Sequence, residues 1–314
     1  MSSSSPGRLA AAALILAACS PPSPPVDPAV HRDSVEAWRE RRMADLRRPD
    51  GWLSLVGLYW LADGESTFGS DPGADLVYAG DGGDVPPSLG VFRVGQDGGV
   101  SFEPAPGVDV RMDGEPTGLA VLRPPPPEGE ATGEPAPVLT WGPLRWHVIV
   151  RDGRPAVRLK SSESPVLTTF DGIDHYAVTT RWRLDGRLDR YEPARTILVP
   201  NILGTVGETA SPGAAVFEVG GETYRLDLWR DSDDPANYFT AFGDATNGDG
   251  TYGGGRFLWI YAPAPGEDRI VVDFNRSYNP PCVFTAFATC PLPPRQNRLP
   301  FAVEAGEKEW EGHH

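Results

Sequence analysis

Lysine is nearly absent from this 314-residue chain: Lys160 and Lys308 stand against 26 arginines. Acids outnumber bases 43 to 28, for a formal net charge of −15, and outside the first helix no segment concentrates basic residues. Such a chain repels phosphate backbones and anionic surfaces, which argues against nucleic acid as a partner. The plainer reading of the charge is solubility. Histidine is scarce too, five in all, and no His-Glu-x-x-His, Gly-x-Ser-x-Gly or Walker segment occurs. The common zinc-protease, serine-hydrolase and P-loop chemistries are therefore excluded. No apolar run reaches the length of a bilayer-spanning helix. Nothing points to a cofactor or a metal.

What the chain does have is turn chemistry and apolar material. It carries 36 glycines and 34 prolines, with 40% hydrophobic residues, enough for a packed core. That combination implies many short strands joined by tight turns, a mainly β fold. An N-terminal helix is expected over residues 33–48. Asp33 and Glu36 form a capping box there, and Val35, Trp38, Arg42, Met43 and Leu46 follow the helical period, with Pro49 as the stop. Residues 52–61 read as a buried strand kinked at Gly57. Arg151-Asp-Gly-Arg154 reads as the turn of a hairpin between strands at 144–150 and 156–160. Residues 124–137 form a proline-rich excursion. From about Ser164, seven further strands are expected, starting near Tyr176, Ala194, Ala215, Thr223, Tyr238, Phe257 and Arg269. Together these give a helix followed by two apposed β modules, the second a sandwich or barrel.

At the N-terminus, Arg8 precedes a short apolar run that ends in Leu16-Ala-Ala-Cys19. This resembles a bacterial lipoprotein lipobox, the rival reading being an ordinary secretory signal cut nearby. The resemblance implies a signal peptide over residues 1–18 and a diacylglyceryl-modified, acylated Cys19 that anchors the protein to a bacterial membrane, facing periplasm or exterior. Residues 19–32 then make the anchor and a proline-rich tether. The mature chain carries −16 once Arg8 is removed. Residues 33–163 form the helix and first β module, and residues 164–312 the second. In an oxidising compartment the remaining cysteines, Cys282 and Cys290, are expected to form a disulfide; a two-thiolate metal site is the rival, but no histidine lies near them in sequence.

The first module faintly resembles a forkhead-associated sandwich through Phe68-Gly-Ser-Asp71, Asp75-Leu-Val77, Met112-Asp-Gly-Glu115 and Trp141-Gly-Pro-Leu144. The arginine and the Ser-Arg-x-His segment that read phosphothreonine are missing, so phosphopeptide binding does not carry over. A more specific series follows: Ala241-Phe-Gly-Asp-Ala-Thr246, Thr251-Tyr-Gly-Gly-Gly-Arg-Phe-Leu258, Asp273-Phe-Asn-Arg-Ser-Tyr-Asn-Pro-Pro-Cys282, Thr289-Cys-Pro-Leu-Pro-Pro294, Asn297-Arg-Leu299 and Glu304-Ala-Gly-Glu307. It resembles the bacterial and archaeal family called domain of unknown function 1684, over roughly residues 35–310. That resemblance implies a domain and no mechanism.

Read as chemistry, Val271, Asp273 and Asn275 share one strand face, and Val272 with Phe274 the other. If the apolar pair is core, Asp273 and Asn275 face solvent or a pocket. Two readings stand side by side for Asp273, Asn275 and Asn279: bonds to the backbone of turns, or a polar pocket shared with Arg256, Tyr278, Asn297 and Glu304 or Glu307. On the second reading the chain binds a small polar ligand, a glycan or a partner protein. A carboxylate-dependent hydrolase using Asp273 with Glu304 or Glu307 is the alternative. Asp244, Asn247 and Asp249 depart from the EF-hand pattern at Ala245 and Arg256, so a glycine-rich turn is expected there. Gly248-x-Gly-x-x-Gly253 precedes a strand instead of opening a helix and is no dinucleotide fingerprint. His147 reads as structural within its strand; His175, beside Asp174, is the least implausible general base.

Overall fold

The structure is a computed structural model that describes residues 26–312 apart from 81–84, 124–135, 152, 231–233 and 235. The lipobox at Cys19, residues 19–25 of the expected tether, nearly all of the proline-rich excursion and the terminal histidine pair lie outside the described residues, and residues 28–32 of that tether are helix. The architecture is mainly β, with one substantial helix. Among the described residues, no helix is long and apolar enough to cross a membrane.

Helix α1 runs Pro28–Leu46, starting five residues before the expected capping box. Asp27 is the cap instead, its carboxylate accepting from Ala29 N at 2.7 Å and Val30 N at 3.4 Å, with Pro28 in the first turn. Proline at the first helical position gives up only an orphan N–H, so Asp27-Pro28 outcompetes Asp33 as the start. The earlier start brings His31 into the buried stripe with Val35 and Leu46.

Eleven strands follow: β1 (Leu55–Trp60), β2 (Gly64–Gly69), β3 (Leu76–Val77), β4 (Gly90–Val94), β5 (Val100–Pro104), β6 (Arg111–Met112), β7 (Glu115–Pro116), β8 (Ala120–Leu122), β9 (Leu139–Trp141), β10 (Leu144–Arg151) and β11 (Arg154–Ser161). They build two sheets, ordered β1-β11-β10-β9-β6-β7 and β3-β2-β4-β5-β8. The sheets share one core in which the buried Trp146 of β10 meets Phe68 at 5.7 Å and Phe102 at 5.5 Å, ring edge to face. Residues 52–54 are a 3-10 turn and not strand, and the ladder of β1 with β11 shifts register between Leu55 and Gly57, where the sequence implies a kink. Arg151 pairs with Arg154 across the expected hairpin.

After a short helix α2 (Pro165–Thr169), an isolated bridge at His175 and a 3-10 turn, Thr180–Trp182, stand in place of the first part of the expected strand. Six strands follow: β12 (Arg183–Pro200), β13 (Val206–Val219), β14 (Glu222–Leu228), β15 (Tyr238–Phe242), β16 (Arg256–Ile260) and β17 (Arg269–Asp273). They form a sheet ordered β14-β13-β12-β17 and a separate β15-β16 hairpin. The two segments expected near Tyr176 and Ala194 are thus one turn and one long strand, β12, whose pairing breaks between Arg190 and Arg195. Ile270 and Val272 of β17, with Phe274 beyond it, point into the core of this half beside Phe217 and Phe242. Arg269, Val271 and Asp273 therefore lie on the opposite face, toward the start of α1.

Candidate functional site

The β17 alternation ends at Asp273, where the chain turns into a 3-10 segment, Phe274–Arg276. Asp273 caps that turn: its Oδ1 accepts from Asn275 N at 3.2 Å and from Asn275 Nδ2 at 2.8 Å. The turn swings Asn275 off the strand face and buries it completely. Its amide then pairs with the backbone of Thr179, accepting from Thr179 N at 3.0 Å and donating to Thr179 O at 2.9 Å. Asn297 is equally buried and clamps Asp227, accepting from Asp227 N at 2.7 Å and donating to Asp227 O at 2.9 Å.

Arg256 is also fully enclosed. It pairs with Asp244 at 2.9 Å and donates to the carbonyls of Val303 and Ala305. Burial lowers its pKa, while the adjacent Asp244 carboxylate opposes that shift. Asp244 therefore neutralises a buried arginine; Asn247 Oδ1, for its part, accepts from Asp244 N at 2.8 Å within the glycine-rich turn. Glu307 is buried with both oxygens engaged: Oε1 accepts from Arg42 Nε at 3.1 Å, and Oε2 from Asn279 N at 2.6 Å. The Asn279 amide donates to Lys308 O at 2.7 Å. Gly306 holds this arrangement close: its φ is +77°, and a Cβ there would run into the carbonyl and hydroxyl of Ser277.

The pocket expected from these residues is therefore corrected. Arg256, Asn275, Asn279, Asn297 and Glu307 are interior ties with main-chain partners, with Arg256 Nε and Asn279 Oδ1 the atoms among them that make no hydrogen bond. Glu304 is exposed, and Tyr278 stacks edge-on against Phe257 at 5.8 Å beneath the Arg42 guanidinium. A hydrolytic pair of Asp273 with Glu307 has no free second carboxylate. Several of these groups form the seat of α1. Reading along the helix, His31 meets Asp273, Ser34 meets Arg276, Trp38 meets Tyr278, and Arg42 meets Glu307 and Asn279 O.

Of the eight residues, Asp273 does line an open cleft, of about 460 Å³, between the start of α1 and the outer face of β17. Val26, Val30, His31 and Ser34 form one wall; Arg183, Arg269, Asp273 and Arg276 form the other, with Trp259 and Tyr261 at the mouth. His31 is 4% exposed, its Nε2 lying 2.9 Å from Asp273 Oδ2. An ionised carboxylate only accepts, so Nε2 carries the proton and the unpaired Nδ1 is left over. Arg276 donates to Ser34 Oγ at 2.6 Å, while its Nε makes no hydrogen bond but lies 3.7 Å from Asp273 Oδ2, a long ion pair. Arg269 NH2 has none either, its nearest acid being Asp185 at 3.9 Å. Arg183, opposite Asp273 in the β12–β17 ladder, makes no hydrogen bond or ion pair with any described residue. Three guanidinium groups thus share the cleft with one carboxylate, on a chain of net charge −15.

Sequence reasoning singled out neither His31 nor the three arginines. The signal for His31 was its place on the buried helical stripe; for Arg183 and Arg269, their positions on the strand face shared with Asp273, and for Arg276, its place in the turn just beyond. His147 is held by burial, and by Arg158 next to it, at a pKa of about 4, a neutral structural ring. His175 pairs in an isolated bridge with Glu307 and is lowered by burial and Arg39. It lies outside the cleft. The larger hollow, about 850 Å³, collects Asp171, Asp174, Glu309 and Glu311 around Lys308 and Trp310.

The expected disulfide is not formed. Cys282 and Cys290 are free thiols in contact, with Cys282 N donating to Cys290 Sγ at 3.1 Å. The hydrogen bond from Cys290 lowers the Cys282 pKa.

Comparison with known proteins adds a family. Residues 168–308 match the family described as protein of unknown function (DUF1684), so the match begins beyond α1 and the first two sheets. No curated protein matches the chain. Among solved structures, the chain is similar to the solution NMR structure of the uncharacterized protein from gene locus rrnAC0354 of Haloarcula marismortui. The two are 27% identical, over 46% of this chain and 80% of that one, with a TM-score of 0.39.

Proposed function

We propose, from the premise that residues 168–308 match a family of unknown function, that this chain is a lipid-anchored envelope protein whose second β module binds a small polar ligand. The site is the cleft between α1 and β17. The observation that carries the reading is the gathering of three guanidinium groups beside the His31–Asp273 pair: the Arg183 side chain has no partner among the described residues, and Arg269 and Arg276 each carry a nitrogen with no hydrogen bond and only a long contact to a carboxylate. Buried donors without partners cost free energy, and a ligand rich in acceptors recovers it. The anchor and a periplasmic or external site are supported by Leu16-Ala-Ala-Cys19. In that compartment we expect a thiol–disulfide exchange oxidant to take two electrons and two protons from the Cys282 and Cys290 thiols, which lie in contact, and so close them into a disulfide.

Mass spectrometry of the protein purified from its own host membranes tests all three parts. Under denaturing conditions we expect a mature chain beginning at an acylated Cys19, lighter by two hydrogens than the dithiol. Under native conditions we expect a retained adduct that the Arg183→Ala/Arg269→Ala variant loses. An adduct held equally by wild type and variant places the ligand elsewhere.

A further inference from the structure

We infer that the cleft seats the phosphate of an anionic phospholipid headgroup from the membrane that holds Cys19. This rests on the lipid anchor and the ligand cleft proposed above. Three independent features converge on it.

The first is charge. Guanidinium groups pair with phosphate in a planar, two-point geometry. The Arg183 side chain is without a partner among the described residues, and Arg269 keeps a nitrogen with no hydrogen bond. Arg276, which donates to Ser34 and lies 3.7 Å from Asp273 Oδ2, adds its charge to the same wall. The acidity of the rest of the chain opposes general adsorption to an anionic surface. Beyond a Debye length of about 8–10 Å, however, that repulsion is screened, so a local cationic cleft governs contact.

The second is position. Val26, which lines the cleft, follows Cys19 by seven residues. Seven residues reach at most about 25 Å even when fully extended. An acylated Cys19 therefore keeps the cleft close to the headgroup layer and never far out in solvent.

The third is the rim. Val30 and Tyr261 border the cleft and are each 62% exposed. Lone exposed apolar residues are ordinary. Here, an aliphatic side chain and a tyrosine flank a cationic hollow at the tethered end. Tyrosine suits the boundary between acyl chains and headgroups, with its ring apolar and its hydroxyl wet.

The test uses the full chain carrying Cys19→Ser, so that acylation contributes nothing, titrated by NMR with four probes. These are dihexanoyl phosphatidylglycerol, dihexanoyl phosphatidylcholine, glycerol 3-phosphate and inorganic phosphate. Phosphatidylglycerol is expected to bind about tenfold or more tightly than phosphatidylcholine, shifting signals from residues 26–34 and 269–276. Arg183→Ala/Arg269→Ala is expected to weaken that binding about tenfold, by loss of charge-assisted bonds. Val30→Ser is expected to weaken the phosphatidylglycerol complex while leaving glycerol 3-phosphate unchanged. Inorganic phosphate or glycerol 3-phosphate binding as tightly as phosphatidylglycerol would assign the cleft to a free anion and overturn the lipid inference. Equal affinity for the two lipids, or binding of none of the four, overturns it as well. If an adduct is still retained from the host and lost in the double arginine variant, the cleft reading survives that failure.

Discussion

Asp244→Ala is expected to destabilise the protein by about 3–5 kcal/mol, the cost of stranding one half of a buried ion pair. Asp244 and Arg256 have side chains with no solvent exposure, 2.9 Å apart. Arg256 has no route to water, so the positive charge left by the substitution cannot be rehydrated. Asp244 also accepts from Thr246 N at 2.9 Å, from Thr246 Oγ1 at 2.6 Å and from Val303 N at 3.1 Å, so three further donors lose a partner. Asp244→Asn keeps an oxygen for those donors but removes the charge, and is expected to fall between wild type and alanine. Arg256→Met combined with Asp244→Val should cost less than the two single changes summed, because neither variant charge is then left alone. Denaturant unfolding of the wild type and these five variants checks this. A cost below about 1 kcal/mol for Asp244→Ala would mean that the arginine is not held by that carboxylate.

Arg42→Ala is the second large effect, again about 3–5 kcal/mol, for the same reason at a neighbouring buried pair. The Glu307 side chain has no exposure and that of Arg42 only 15%. The guanidinium reaches Glu307 and Asn279 O while lying 4.6 Å from the centre of the Tyr278 ring. Lysine cannot supply that fork, so Arg42→Lys is expected to recover little. Arg42→Ala with Glu307→Gln should recover more, since the buried charge is then gone. The pairing tethers α1 to the turn after β17, so the loss should appear as faster hydrogen exchange in residues 28–46 as well as in global unfolding. Exchange in α1 unchanged by Arg42→Ala would sink this account.

The same contact explains why the helix and the signature segment belong together although they lie far apart in sequence. Residues 273–279 turn sharply and leave carboxylate, guanidinium and aromatic groups pointing outward. One stripe of α1, from His31 to Arg42, covers them. The cleft is the uncovered end of this seat, where α1 begins and the arginines of β12 and β17 run past it.

Much of the secondary structure is legible in local pattern. The alternation of Ile270, Val272 and Phe274 against Arg269, Val271 and Asp273 fixes which way β17 faces, because strand side chains point in turn to opposite sides. Arg151-Asp-Gly-Arg154 specifies its hairpin. The break at Gly57 specifies a ladder irregularity. The start of α1 was misread because two aspartates can each cap a helix; Pro28 after Asp27 settles it, and a neighbouring proline-rich stretch disguises that signal.

What local pattern does not carry is the fate of a polar side chain. Asn275, Asn297, Arg256 and Glu307 look in sequence like pocket residues, since amides and charges serve a ligand and a backbone equally well. Their burial depends on Thr179, Asp227, Asp244 and Arg42, from 12 to 265 positions away in the chain. Sequence by itself determined the β class, the strand faces and the signature that residues 168–308 share with a family of unknown function, because these rest on short periodicities and short motifs. Only tertiary structure decided which polar groups are spent as interior ties and which stay unpaired in a cleft, because hydrogen-bond satisfaction is a property of neighbours in space.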